Sequence, residues 1–159
     1  MKVKVKRIYP EASLPTKGSD KAAAYDVYAC IKNEDGCVTV EPHKTVKVGT
    51  GLAMTPPEGF FVGVYARSGL STKEGLRPAN CVGVCDEDYT GEYIVAVHND
   101  SDIVRTVKHG DRIAQLNREL KDVKRHREVT REQRNRNKIP VVAIVGYTNA
   151  GKSTLLNTL

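Results

Sequence analysis

Phe61-Val62-Gly63-Val64-Tyr65 alternates with the period of two that a β-strand requires, then runs into Ala66-Arg67-Ser68-Gly69-Leu70-Ser71-Thr72, where a cation, hydroxyls and a glycine take over. Outward from this stretch the same short period recurs in Lys2-Val-Lys-Val-Lys-Arg-Ile8, Cys37–Val40, Thr45–Val48 and Tyr93–Val97. Between these runs lie clusters of turn residues at Thr16–Asp20, Glu34–Gly36, Thr55–Gly59, Asn99–Asp102 and Lys108–Asp111. The only helix-like stretch among them is Gly69–Glu74. Many short strands without amphipathic helices between them predict a mainly β fold, an antiparallel barrel or sandwich of jelly-roll type.

The chain has 159 residues, 40% hydrophobic and 28% charged, which fits one ordinary domain with a short appendage. Val141–Val145 is far shorter than the roughly 20 apolar residues of a membrane span, and the lysine-rich N-terminus lacks the apolar core of a signal peptide. A cytoplasmic protein with no membrane partner is expected. Cys30, Cys37, Cys81 and Cys85 are too few and too unevenly spaced for a disulfide framework and read as reduced thiols, the latter two as core thiols. The net charge of +6 is local: residues 1–117 carry 15 Lys and Arg against 15 Asp and Glu, whereas residues 118–140 carry 9 against 4. Such a break marks a change of structural unit.

Four segments carry residues that folding alone does not require. The first is Gly18–Ala29, which contains Asp26. The second is Tyr65–Thr72, where Arg67 offers a bidentate charged donor, Ser68 a hydroxyl, and Gly69 close backbone approach, together a grip for phosphate. In the third, Asn80–Glu92, the acids Asp86, Glu87 and Asp88 stand beside Tyr89 and suit activation of water or capture of a cation. The fourth, Gly110–Leu116, interleaves Asp111, Arg112 and Gln115 with apolar residues. Taken singly, Asp86 and Asp88 read as turn acids and Tyr89 as a packed ring, while Asp111 and Arg112 fit a structural ion pair as well as a ligand contact. The scattered histidines and the two cysteines of the third segment form no metal cage.

In order and wording these four segments, over about residues 1–117, resemble the homotrimeric dUTP diphosphatases (dUTPases). The resemblance implies a jelly-roll-like β-barrel that hydrolyses dUTP to dUMP and pyrophosphate. By the same resemblance Asp86 activates the water that attacks the α-phosphorus. Arg67, Ser68, Gly69 and Gln115 hold phosphates, Asn80 and Gly83 belong to the hairpin that reads uracil, and Tyr89 lies under the deoxyribose and excludes a 2′-hydroxyl. Mg²⁺ is the implied cofactor, carried on the phosphates and met by Asp26 through water. The related deoxycytidine-triphosphate deaminases share the barrel but work on the base, and the Gly83–Glu92 wording favours the diphosphatase.

Past Leu116 the polar, Arg-rich stretch Asn117–Lys138 predicts a helix whose apolar stripe, Leu116, Leu120 and Val123, is thin. A buried-type strand follows at 139–145, and Gly146-Tyr-Thr-Asn-Ala-Gly151-Lys152-Ser153 fits a phosphate-binding P-loop that opens a second helix. Residues 118–159 resemble the linker helix and P-loop of HflX-type ribosome-associated GTPases. Only six residues follow Ser153, before any Walker-B aspartate, so a complete GTPase is not expected, nor is the glycine-rich fifth motif of the dUTPases found. The organisation expected is a barrel at 1–117, a basic helical linker at 118–140 and a truncated P-loop fragment at 141–159, as in a chimera. A second reading makes the tail the functional part, docking weakly on GTP, RNA or the ribosome.

Overall fold

The computed structural model describes residues 3–120, with side chains through Asn117. They form twelve strands and one short helix: β1 Lys4–Arg7, β2 Thr16–Lys17, β3 Tyr25–Tyr28, β4 Cys37–Val40, β5 Thr45–Gly49, β6 Leu52–Thr55, β7 Phe60–Tyr65, α1 Ser68–Glu74, β8 Leu76–Pro78, β9 Val82–Cys85, β10 Ile94–Asn99, β11 Arg105–Lys108 and β12 Arg112–Leu120. The five alternating runs of the sequence are β1, β4, β5, β7 and β10, and the helix-like stretch is α1. The fold is mainly β, as expected.

Strand pairing is antiparallel throughout the described residues. The largest sheet has the order β2-β3-β12-β7-β9, beside a three-stranded sheet β5-β10-β8 and the two-stranded pairs β1-β6 and β4-β11. Between them lies a core of mostly branched side chains, with Val27, Val40, Val48, Leu52, Leu76, Val97, Val107 and Ile113 almost fully buried. Such residues fill the pleated faces of facing sheets well. The buried amide of Asn99 fastens a loop to this core. Its Nδ2 donates to the carbonyls of Val40 (2.9 Å) and Ile103 (2.8 Å), and its Oδ1 accepts from the N–H (2.9 Å) and hydroxyl (2.7 Å) of Ser101. A buried amide left unbonded would cost about 1–3 kcal/mol, and here each of its polar atoms has a partner.

Two features position the candidate site. Helix α1 stops at Gly75, whose left-handed backbone (φ 71°) lets its N–H bond the carbonyls of Leu70 and Ser71. The chain then turns directly into β8. At the other end of the domain, β12 continues through Leu120, with Asn117 opposite Gly63 and Leu120 opposite Phe60 of β7. The helix expected from Asn117 therefore does not begin there. Asn117–Leu120 contains adequate helix formers, but a long in-register ladder with β7 outweighs a preference of a few tenths of a kcal/mol per residue. The rest of that expected helix, the strand at 139–145 and the P-loop residues Gly146, Gly151, Lys152 and Ser153 lie outside the described residues.

Candidate functional site

The four singled-out segments supply both faces of the five-stranded sheet. In an antiparallel sheet, residues directly opposite one another project to the same face, and successive residues alternate. Gln115 stands opposite both Asp26 and Tyr65, so these three share one face. Leu116 stands opposite Val64, and Val64 opposite Gly83, which puts Gly83 on the other face. A cationic cluster and a cleft therefore develop back to back.

Asp26, only 4% exposed, is the hub of the first face. Its Oδ1 accepts from Gln115 Nε2 at 3.1 Å and lies 3.4 Å from Arg67 Nε, while its Oδ2 accepts from Arg112 Nη1 at 3.2 Å. One carboxylate thus fixes the direction of two guanidinium groups and an amide that come from two other segments of the chain. The cluster keeps an excess of positive charge, which suits an anion. Ser68 and Gly69, next to Arg67, open α1, in the turn whose N–H groups have no partner inside the helix. Arg112 pairs with Asp26 and not with its neighbour Asp111, whose carboxylate accepts from the N–H of Lys108 and closes a turn. Sequence reasoning left Arg112 between two roles; its ion pair is real, but the partner is remote in sequence.

On the opposite face, a cleft of about 540 Å³ is lined by Asn80, Gly83, Asp86, Asp88, Tyr89 and Glu92, over a floor that includes Val64, Cys85 and Tyr93. The hairpin entering β9 is tight: Cys81 adopts φ 59°, and the N–H of Val82 bonds the carbonyl of Asn80 at 2.6 Å. Space at Gly83 is tight: a Cβ would stand 3.1 Å from Asn80 Nδ2 and 3.2 Å from Val64 Cβ, so either neighbour would have to shift by a few tenths of an ångström. Asp86 begins a turn in which its carbonyl accepts from the N–H of Tyr89 at 3.2 Å, while its exposed carboxylate borders the cleft. Glu87 instead turns away and accepts from the N–H of Gly59 at 2.7 Å. The Tyr89 ring, 44% exposed, meets Tyr93 edge-on with 5.8 Å between centroids, and its hydroxyl donates to the Glu92 carbonyl at 2.8 Å.

Sequence reasoning missed Glu92 as an individual residue and Tyr93 as part of the floor. The signal was a large aromatic at the mouth of an apolar strand, directly after Gly91 and an acid. Burial pushes the Tyr93 hydroxyl well above its ordinary range, and the neighbouring Cys85 adds to the shift. Burial also raises the Cys85 thiol, partly offset by its bond to Tyr93. Cys81, expected in the core, is exposed at the hairpin instead, where with φ 59° it stands at the tip of a tight turn near Arg77. All four cysteines are free thiols.

Neither face offers a direct cage for a divalent cation. Both Asp26 oxygens already accept from cationic or amide donors, and among the described residues no group of three His, Cys, Asp or Glu side chains converges on one point. Among those residues, too, no helix is long and apolar enough to cross a membrane.

A family model described as dUTPase matches residues 10–141, well past the fourth segment, and a model described as 50S ribosome-binding GTPase matches only residues 141–159. Deoxyuridine 5′-triphosphate nucleotidohydrolase of Desulfitobacterium hafniense is 44% identical over 119 residues, which cover 73% of this chain and 77% of the relative. The protein of that name from Syntrophotalea carbinolica is 44% identical over 116 residues, covering 72% and 76%. Among solved structures, a point mutant of the dUTPase from phage phi11 of S. aureus, described as revealing the coordination of a structural Mg(II) ion, superposes with a TM-score of 0.65. It does so at 20% identity, over 94% of this chain and all of the other, a likeness of fold. With sequence kinship and fold agreeing over the residues that build both faces of the site, the chain belongs to the dUTPase family.

Proposed function

We propose that this chain is a dUTP diphosphatase that hydrolyses dUTP to dUMP and pyrophosphate and works as a homotrimer. The observation that carries the reading is the convergence of Asn80, Gly83, Asp86 and Tyr89 on one cleft in a chain of this family. The cleft suits a pyrimidine nucleoside. Asn80 and the backbone around Gly83 present donors and acceptors to a base edge, and a base of the wrong pattern would leave them unpaired, which is the strong form of selectivity. Tyr89 lies where a sugar would rest. Asp86 is the general base: an accessible carboxylate at the rim takes the proton of a water that attacks the α-phosphorus, and the pyrophosphate leaves on the far side.

The phosphate half lies on the other face of the sheet, in Arg67, Ser68, Gly69 and Gln115, with Asp26 holding Arg67 and Gln115 and itself paired with Arg112. One copy of the domain cannot bring both faces to one nucleotide, so the phosphate cluster of one copy meets the cleft of another. The exposed valines of edge strand β9, Val82 and Val84, suit burial in such an assembly. When carried on the triphosphate, Mg²⁺ would supply neutralisation of part of its charge. With both Asp26 oxygens already accepting from protein donors, Asp26 would help hold the ion through water. The test is release of pyrophosphate from dUTP set against dCTP, UTP and GTP. Turnover of dUTP well above the other three is expected, and equal or preferential turnover of GTP would overturn the reading in favour of the tail.

A further inference from the structure

Glu92 has no place in the chemistry proposed above, yet it ties the cleft to a turn outside its lining. Its Oε1 accepts from the N–H of Gly51 at 2.7 Å, in a turn where Gly51 adopts φ 67°. The same oxygen packs against Gly49 so closely that a Cβ there would stand 2.6 Å from it. Its backbone carbonyl accepts from the hydroxyl of Tyr89, and that hydroxyl lies over Gly91, where a Cβ would stand 2.6 Å away. The turn between β5 and β6, the loop carrying Tyr89 and the start of β10 are thus joined through one residue.

We propose that Glu92 is a positioning residue for Tyr89: its carboxylate anchors the peptide of residue 92 on the Gly49–Gly51 turn, and its carbonyl holds the Tyr89 ring at the height that separates deoxyribose from ribose. This rests on the assignment of Tyr89 to the sugar. Apart from its bond to the Glu92 carbonyl, the Tyr89 ring lies over Gly91, meets Tyr93 by an edge and is nearly half exposed. A ring free to tilt would open room for a 2′-hydroxyl without leaving the cleft. The carboxylate acts through a hydrogen bond to an amide N–H, and a glutamine carbonyl can accept that bond in the same place.

The experiment compares kcat/KM for dUTP with that for UTP in the parent, Glu92→Gln, Glu92→Ala and Tyr89→Phe, with thermal unfolding of each. The ratio is expected to fall about five-fold in Glu92→Ala and in Tyr89→Phe, the size of effect that loss of one hydrogen bond allows. It should stay near the parent value in Glu92→Gln. Tyr89→Phe keeps an exposed ring of the same shape and cuts the same tie from the other end, so the claim stays testable if Glu92→Ala does not fold. A parent-like ratio in Tyr89→Phe, or a Glu92→Ala protein that is less stable but equally selective, would overturn the positioning role. A parent that turns over neither nucleotide would overturn the diphosphatase reading itself.

Discussion

At the scale of single residues, the site is organised by what surrounds each carboxylate. Asp26 is buried under three donors and serves to aim them, while Asp86 stands at the rim of the cleft, open to solvent. Asp86→Asn preserves shape and the turn but cannot take a proton, so turnover of dUTP is expected to fall by about 10²–10⁴-fold. Equilibrium binding of dUTP should be almost unchanged, and single-turnover kinetics beside a binding isotherm check both. The two raised groups in the floor give a pH dependence with a definite sign. Cys85 and Tyr93 ionise in the unfolded chain from their ordinary values of 9.0 and 10.0, and later when folded. Their stabilising effect is therefore fully present below pH 9 and is lost as pH rises through the raised folded values. The melting temperature should fall in that alkaline range, and Tyr93→Phe, which removes one of the two ionisations, should fall less.

At the scale of elements, β4 and β5 were legible because each has one wetter and one drier face. β4 and β5, with Val38 and Val40 or Val46 and Val48 between polar residues, show the period of two directly. β3 was not legible, because Asp26 and Val27 are both buried, one among donors and the other in the core, so no alternation survives. The tail of β12 read as helix because its residues tolerate either state and its partner strand is remote in sequence. The four segments stand out as words in order, but their grouping is hidden: nothing in the local sequence of Gln115 or Gly83 says that they face opposite sides of one sheet. Hairpin β9 provides a sharp test at this scale. In Gly83→Ala the new methyl presses on Asn80 Nδ2 and Val64, so the KM for dUTP is expected to rise several-fold with a smaller change in kcat, as for a contact made equally in ground and transition states. A change in kcat alone would place Gly83 outside base recognition.

At the scale of the whole molecule, charge and function divide differently from the way composition suggests. The net charge of +6 comes from beyond residue 117, while the domain that holds the site is balanced and keeps its useful positive charge in one place, around Asp26. The family match passes through the basic stretch to residue 141, so that stretch belongs to the span shared with the dUTPases as well as marking the change of charge. The central claim concerns the assembly: each site takes its cleft from one copy and its phosphate grip from another. The most direct measurement is complementation between two inactive variants, Asp86→Asn and Arg67→Ala, unfolded and refolded together. In randomly mixed trimers, about a quarter of the sites would join an intact Asp86 from one chain to an intact Arg67 from its neighbour. Recovery of dUTP hydrolysis to about that fraction of the parent rate is the result expected. Mixed trimers, verified by mass, that stay as inactive as either variant alone would contradict it.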